Sequence, residues 1–172
     1  RVEACFILAV FGSLFGVLWR AVLWLWQFEN AKMGSTKEIA MNQHTLFTKV
    51  QDYYTDLIAQ LGTAQNEISM TYLSFDSGEW ATRISDVLCA KAQSGVKVRL
   101  MVDEVGQLLD EPRHAVQNVG LFRRLRSHGV QVNIFRPAAP LQMNNRLHCK
   151  IAAIDDHMVF LGGSNIGDYY TT

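Results

Sequence analysis

The sequence RLHCKIAAIDDHMVFLGGSN, from Arg146 to Asn165, has the pattern of a β-hairpin followed by a polar loop. LHCKIAAI is predicted to form one strand, the two aspartates after it a turn, and HMVFL the returning strand. Because side chains alternate faces along a strand, His148 and Lys150 should point the same way, roughly 6.5–7 Å apart along the chain. Asp155 has the opposite parity and lies at the turn. Its side chain is therefore better placed to tie down the hairpin than to touch a substrate.

Two glycines and a polar pair follow the predicted hairpin. Gly162 and Gly163 allow the backbone to approach another group closely. Ser164 or Asn165 is then predicted to cap a following helix, whose first N–H groups would face an anion. The loop after the hairpin is thus a candidate anion site.

The polar groups of this segment suit attack on a phosphodiester. An imidazole such as that of His148 is a competent nucleophile near neutral pH, since its unperturbed pKa is about 6.5. Lys150 supplies a fixed positive charge for phosphoryl oxygens, and the amide of Asn165 donates to the same oxygens without changing charge. Together these groups can hold the negative charge that develops in the reaction, and no metal or other cofactor is expected.

The spacing H-x-K-x-x-x-x-D, formed by His148, Lys150 and Asp155 and followed by GGSN, resembles the HKD motif of the phospholipase D superfamily. The longer run GGSNIGDYY resembles the cardiolipin synthase branch of that family, and the resemblance extends upstream to about Thr45. It implies that the three motif residues belong to the catalytic site of a phospholipase D-like domain.

The resemblance also implies a role for each polar group. His148 is the nucleophile and forms a phosphohistidine intermediate, while Lys150 and Asn165 bind the substrate phosphate together with Ser164 and Gly163. The family's site needs two HKD motifs, and this chain has one. The second histidine, which serves as general acid and then base, is expected from a second lobe of a longer chain or from a homodimer partner.

Helix and strand patterns alternate between this hairpin and the N-terminal part of the chain. The predicted elements are an amphipathic helix at Thr45–Leu61, strands at Glu67–Leu73, Val96–Val102 and Val130–Phe135, and helices at Glu79–Ser94 and Pro112–His128. Strands separated by helices imply right-handed crossovers, so the predicted fold class is α/β. We expect a mixed, mostly parallel sheet with helices on both faces. Asp103 ends the second strand, where it is predicted either to shape a pocket or to cap a turn.

The first 28 residues are predicted to form a transmembrane anchor. Residues 4–28 are nearly all apolar and long enough to cross a bilayer core, with one charge at Arg20. Their apolar side chains favour insertion by roughly 4–8 kcal/mol, against about 2.5–3.5 kcal/mol for one arginine. A signal peptide and a buried helix are the alternatives. Residues 29–44 form a predicted linker, and residues 45–172 the phospholipase D-like domain. We expect a truncated first lobe, because the sequence begins without Met and stops just after the motif.

The composition argues against two kinds of site. Sixteen basic and 16 acidic residues give a formal net charge of zero, so the chain lacks the broad positive charge typical of nucleic-acid-binding proteins. Nucleic acid is therefore not expected as a partner. The three cysteines, Cys5, Cys89 and Cys149, have no metal-ligand spacing.

Three functions are compatible with these patterns. The first is a phosphatidyltransferase of the cardiolipin synthase type at the cell membrane, which takes a phospholipid similar to phosphatidylglycerol; with water as acceptor it becomes a phospholipase D hydrolase. The second is a single-motif nuclease or phosphodiesterase that works as a symmetric homodimer, which the neutral charge and the apolar N-terminal segment disfavour. The third is a half-domain without catalytic activity that serves as a membrane-bound interaction fragment.

Overall fold

The structure, a computed structural model of the chain, describes residues 45–136 and 146–171. The predicted anchor at residues 1–28 and the predicted linker at residues 29–44 lie outside the described residues. Within the described ranges, no helix has both the length and the apolar character that a membrane crossing requires.

The described residues form an alternating series of helices and strands, as predicted. In chain order they are α1 (Val50–Thr63), β1 (Glu67–Tyr72), α2 (Glu79–Gln93), β2 (Lys97–Asp103), α3 (Glu104–Leu109), a 3-10 turn (Pro112–His114), α4 (Ala115–Ser127), β3 (Gln131–Phe135), β4 (Lys150–Ile154), β5 (Met158–Leu161) and a second 3-10 turn (Asp168–Tyr170).

The five strands form one mixed sheet in the order β3-β2-β1-β4-β5. β1 pairs parallel with β2, and β2 pairs parallel with β3. β4 pairs antiparallel with β1, and β5 antiparallel with β4. Four strands therefore run in one direction and β4 runs against them. The predicted mixed α/β sheet flanked by helices is confirmed.

One face of this sheet packs against the long helices. α1 contacts α2, and α2 contacts α4, as expected when right-handed crossovers carry the chain from β1 to β2 and from β2 to β3. The strand side chains on this face are buried: Ile68, Met70, Tyr72, Val98, Leu100, Val102, Ala152, Ile154 and Phe160. Alternate residues such as Thr71 and Met101 point to the opposite face and are half-buried. In residues 45–136 and 146–171, the three long helices thus share one face, whereas helices on both faces were expected from the sequence.

The entry to the hairpin differs from its prediction. The strand begins at Lys150, not at Leu147, and residues 146–149 are not paired with a neighbouring strand. The reason is Asp103, whose carboxylate accepts the backbone N–H of Leu147 at 2.8 Å and Nε–H of Arg146 at 3.0 Å. A side chain from the end of β2 thus takes the place of a strand partner.

The short helix α3 was absent from the prediction. Asp103 begins it, because its carboxylate also accepts the backbone N–H of Gly106 at 2.7 Å. Gly106 passes so close to the backbone carbonyl and side chain of Leu73 that no Cβ fits there. The helix therefore lies tightly across the end of β1, and residue 110 follows directly after it.

Candidate active site

His148 and Lys150 meet at the start of β4. Nζ of Lys150 lies 3.1 Å from Nε2 of His148, so the two side chains lie on the same side of the chain as predicted, although His148 precedes the strand by two residues. Lys150 is 6% exposed, whereas His148 is exposed. An ammonium group can only donate in such a contact, and its acceptor would be the Nε2 lone pair of an imidazole that carries its proton on Nδ1. The pair combines a buried cation with an accessible imidazole.

Burial lowers the pKa of Lys150, because an ammonium group loses hydration in the protein interior. The negative charge of Asp110 opposes this effect and raises the same pKa, and Cys149 adds a smaller contribution in that direction. The pKa of Lys150 is therefore lowered overall, because burial outweighs the opposing charge of a carboxylate from a distant part of the chain.

Asn165 is 2% exposed and is held from several sides. Its Nδ2 donates to Oδ2 of Asp110 at 2.8 Å and to the hydroxyl of Tyr170 at 3.0 Å, and its Oδ1 accepts the backbone N–H of Ser74 at 3.4 Å. The hydroxyl of Tyr54 donates to its backbone carbonyl. Asp110 thus links the two groups predicted to bind phosphate, by a hydrogen bond to Asn165 and by its charge to Lys150.

A short parallel bridge brings Asn165 to the end of β1. Ile166 donates its N–H to the carbonyl of Ser74 at 3.3 Å, and Asp76 donates its N–H to the carbonyl of Ile166 at 2.8 Å. The backbone after the hairpin is therefore fixed against the carboxyl end of a central strand, where ligand sites of α/β sheets lie.

Ser164 and Gly163 line a separate small cavity of about 170 Å³ beside Phe47 and Tyr53. Gly163 is exposed and Ser164 is half-buried. Among the contacts of the described residues, no hydrogen bond joins either residue to the groups around Lys150. Their assignment as substrate-binding residues stays a prediction.

The predicted cap by Ser164 or Asn165 is wrong. The chain after Asn165 forms a 3-10 turn without a side-chain cap. The carboxylate of Asp168 instead accepts the first N–H groups of α2, from Glu79 at 2.8 Å and from Trp80 at 3.0 Å. The end of the GGSNIGDYY run therefore caps an earlier helix, where a negative charge also interacts favourably with the helix dipole.

Asp155 lies at the other end of β4 from Lys150, about 16 Å along the strand. Its φ of 51° turns the hairpin. Its carboxylate accepts three backbone N–H groups, from Gln65 at 3.0 Å, Asn66 at 2.8 Å and Glu67 at 2.9 Å. Burial alone raises the pKa of Asp155, but these hydrogen bonds outweigh it and the net pKa is lowered. The structure thus brings His148 and Lys150 together and places Asp155 in the turn.

A buried network that was not predicted surrounds Asp76, which is fully buried after β1. Its Oδ1 accepts from Gln107 at 2.7 Å and from Asn118 at 2.9 Å, and its Oδ2 accepts from the hydroxyls of Ser74 at 2.7 Å and Tyr169 at 2.9 Å. Polar residues directly after a buried strand were the available signal, the same one that singled out Asp103.

Tyr169 joins this network to the site. Its hydroxyl lies 2.6 Å from Oδ2 of Asp110 as well as 2.9 Å from Oδ2 of Asp76. Burial raises the pKa of Tyr169, and the two hydrogen bonds to carboxylates raise it further. The tyrosine therefore stays protonated and separates two like charges.

The polar groups described here suit phosphoryl chemistry. Within residues 45–136 and 146–171, no cluster of three or more His, Cys, Asp or Glu side chains has the arrangement of a metal site. An accessible imidazole, a buried lysine and an oriented amide are the polar groups on offer.

A solved structure supports the fold. The phospholipase D family member NUC from Salmonella typhimurium superposes with a TM-score of 0.52 over 67% of this chain and 66% of that chain, at 20% sequence identity. At this identity the likeness establishes a shared fold: the chain has a phospholipase D-like architecture.

Residues 57–171 match the family described as "Cardiolipin synthase, PLD-like domain", and the chain belongs to this family. The major cardiolipin synthase ClsA of Bacillus subtilis is 29% identical over 161 residues, which are 84% of this chain and 32% of that protein. Cardiolipin synthase 1 of Staphylococcus epidermidis is 33% identical over 133 residues, 75% of this chain and 26% of that protein. The chain thus spans about a third or less of the length of these curated relatives.

Proposed function

We propose that this chain is the HKD-bearing part of a membrane-associated phosphatidyltransferase of the cardiolipin synthase type. The observation that carries the proposal is the 3.1 Å contact between the accessible imidazole of His148 and the buried ammonium of Lys150, in a chain of the cardiolipin synthase-like family. The substrate is a phospholipid with an alcohol headgroup, similar to phosphatidylglycerol.

In the first step, Nε2 of His148 attacks the phosphorus of the phosphodiester and the headgroup alcohol leaves with a proton from a general acid. Lys150 moves its hydrogen bond from the imidazole to a phosphoryl oxygen, which frees the lone pair of Nε2. The amide of Asn165 donates to a phosphoryl oxygen as well. These donors stabilise the charge that develops as the covalent phosphatidyl-histidine forms.

In the second step, an acceptor alcohol attacks the phosphatidyl-histidine and restores the free imidazole. A general base takes the proton of this alcohol, and the same group served as acid in the first step. We assign it to the histidine of a second HKD motif, from a second lobe or from a homodimer partner. An alcohol acceptor yields a new phospholipid, and water yields phosphatidic acid, so the balance depends on how well the pocket excludes water.

The proposal places Asp155 outside the reacting atoms. Its carboxylate accepts three backbone N–H groups in the turn, and its part in the motif is to hold β4 in register. The membrane anchor at residues 1–28 and a cell-membrane location belong to the proposal on the strength of the apolar sequence.

The test compares H148A with the control H157A, whose histidine lies 61% exposed beside the turn. The intact protein is incubated with phosphatidylglycerol vesicles that carry a radiolabelled phosphate, and cardiolipin, phosphatidic acid and an acid-labile labelled protein adduct are measured. We expect all three from the wild type and H157A, and none from H148A. Turnover in H148A would contradict the nucleophile assignment. Cleavage of DNA without lipid turnover would favour the dimeric nuclease instead.

A further inference from the structure

The carboxylate of Asp110 lies at the centre of the site's polar groups. Three groups lie within hydrogen-bond distance of its Oδ2: Nδ2 of Asn165 at 2.8 Å, the hydroxyl of Tyr169 at 2.6 Å and the hydroxyl of Tyr170 at 3.5 Å. Tyr169 has one proton, which it shares between Asp110 and Asp76. Its negative charge also acts on Lys150. Asp110 follows α3, whose position depends on the fit of its glycine against β1.

We propose that Asp110 is a positioning residue of the active site. It orients the amide of Asn165 toward the substrate phosphate, and its negative charge favours the charged form of Lys150. This role rests on the proposed function, because it specifies how the phosphate-binding groups of that function are prepared.

The orientation of Asn165 follows from the chemistry of its neighbours. A carboxylate only accepts hydrogen bonds, so the Nδ2 end of the amide must face Asp110 and the Oδ1 end faces the N–H of Ser74. The second N–H then points to the hydroxyl of Tyr170. An anionic phosphoryl oxygen can displace this neutral acceptor, because hydrogen bonds to charged groups are roughly twice as strong. Asp110 thus selects which end of the amide is offered to the substrate.

The charge of Lys150 depends on the same carboxylate. Its immediate neighbours are His148 at 3.1 Å, the thiol of Cys149 and Tyr72, its partner in the β-ladder. Burial raises the pKa of Tyr72, so this neighbour brings no charge. Asp76, another buried carboxylate, is joined to Asp110 through the hydroxyl of Tyr169. Without the charge at residue 110, the effect of burial on Lys150 is less opposed, and the pKa of Lys150 should fall further.

The test is D110N in the intact protein, with D86N as the matched control. Asp86 is an exposed carboxylate on α2 that pairs with Arg124, away from the site. For D110N we expect a loss of kcat/KM of roughly tenfold at pH 7, because a hydrogen bond to a carboxylate becomes a neutral one whose direction is no longer fixed. We also expect the alkaline limb of the pH–kcat/KM profile to move to lower pH. D86N should change neither quantity.

The shift of the alkaline limb separates positioning from a purely structural role, which would lower activity without moving the limb. D110E provides a second variant if D110N does not fold. It keeps the charge but displaces the carboxylate, so kcat/KM should fall while the limb stays at its wild-type pH. A wild-type kcat/KM or an unmoved limb in D110N, or a moved limb in D110E, would overturn the role of Asp110.

The outcome for H148A distinguishes this inference from the function on which it rests. If H148A is inactive and D110N behaves like the wild type, the role of Asp110 fails alone. If H148A still turns over lipid, the proposed nucleophile fails, whatever D110N does.

Discussion

Replacement of Asp155 tests whether the aspartate of the motif stabilises the fold or takes part in the reaction. Its Oδ1 accepts the N–H groups of Asn66 and Glu67, and its Oδ2 accepts that of Gln65. In D155A all three donors lose their acceptor, and in D155N one oxygen remains to accept two of them. The variants D155N and D155A should therefore form a graded series of decreasing stability.

The magnitude follows from the exposure of the donors. A hydrogen bond to a charged group contributes about 1.5–3 kcal/mol, but two of these donors are exposed and can bind water instead. We therefore expect about 1 kcal/mol per bond, or about 3 kcal/mol for D155A. A further ~1 kcal/mol arises because alanine tolerates the left-handed backbone at φ 51° less well than aspartate does. D155N should lose about 1 kcal/mol, since asparagine tolerates this conformation.

The pH dependence of stability provides a second, independent test of the role of Asp155. The pKa of Asp155 is lowered in the folded protein, so its contribution to stability is fully present above the unfolded pKa of about 3.9. This contribution is lost as the pH falls through the lower, folded pKa. The difference in stability between the wild type and D155N should therefore be constant near pH 7 and should shrink in acid below about pH 4.

The assay is thermal unfolding of the intact protein, combined with lipid turnover at a temperature where each variant is folded. The control is D156N, which changes the fully exposed neighbour in the same turn. We expect D155N to unfold at lower temperature and to keep a near-wild-type kcat/KM when folded, with D156N unchanged in both. A D155N protein of wild-type stability that has lost turnover would refute the reasoning and place Asp155 among the reacting groups.

Three further predictions concern a helix cap, a close backbone contact and the active-site cation. D168A should destabilise the protein by about 1 kcal/mol, because α2 loses the acceptor for two N–H groups of its first turn; chemical denaturation of D168A and wild type measures this. G106A should destabilise the protein by at least about 2 kcal/mol, because its methyl group meets the backbone carbonyl of Leu73. G120A, at an exposed position of α4 with open space around it, should stabilise the protein by about 0.5–1 kcal/mol. The same denaturation series compares them, and equal effects would contradict the packing argument. K150A should reduce kcat/KM by about 100-fold or more, since it removes charge stabilisation from the transition state. Binding of the protein to vesicles should be unchanged; steady-state kinetics and vesicle sedimentation measure the two quantities separately.

Local sequence patterns were sufficient for most elements of the fold, the short helix α3 excepted, and for the contact between His148 and Lys150. Alternation along a strand predicted that His148 and Lys150 share a face, and they lie in contact. Position at a turn predicted the tethering role of Asp155, and its carboxylate holds three backbone N–H groups. Both inferences depend on a few consecutive residues, whose geometry is set by the backbone period itself.

The order of the strands in the sheet could not be predicted from such local patterns. The alternation of strands and helices predicted an α/β sheet, but it did not reveal that β4 inserts beside β1 and runs against it. Strand pairing depends on contacts between segments about 80 residues apart, and many orders satisfy the same local periodicity. The same limit explains why the strand was predicted to begin at Leu147, whose N–H is taken by a carboxylate at the end of β2.

The surroundings of the phosphate-binding groups likewise came from tertiary structure. Asp110, 55 residues before Asn165 in the chain, meets its amide, and Tyr169 connects Asp110 to the buried carboxylate of Asp76. A sequence names the residues that can accept or donate, but folding decides which of them share a pocket. The electrostatic state of Lys150 therefore depends on the fold, because its burial and its neighbouring charge both come from elements far away in the chain.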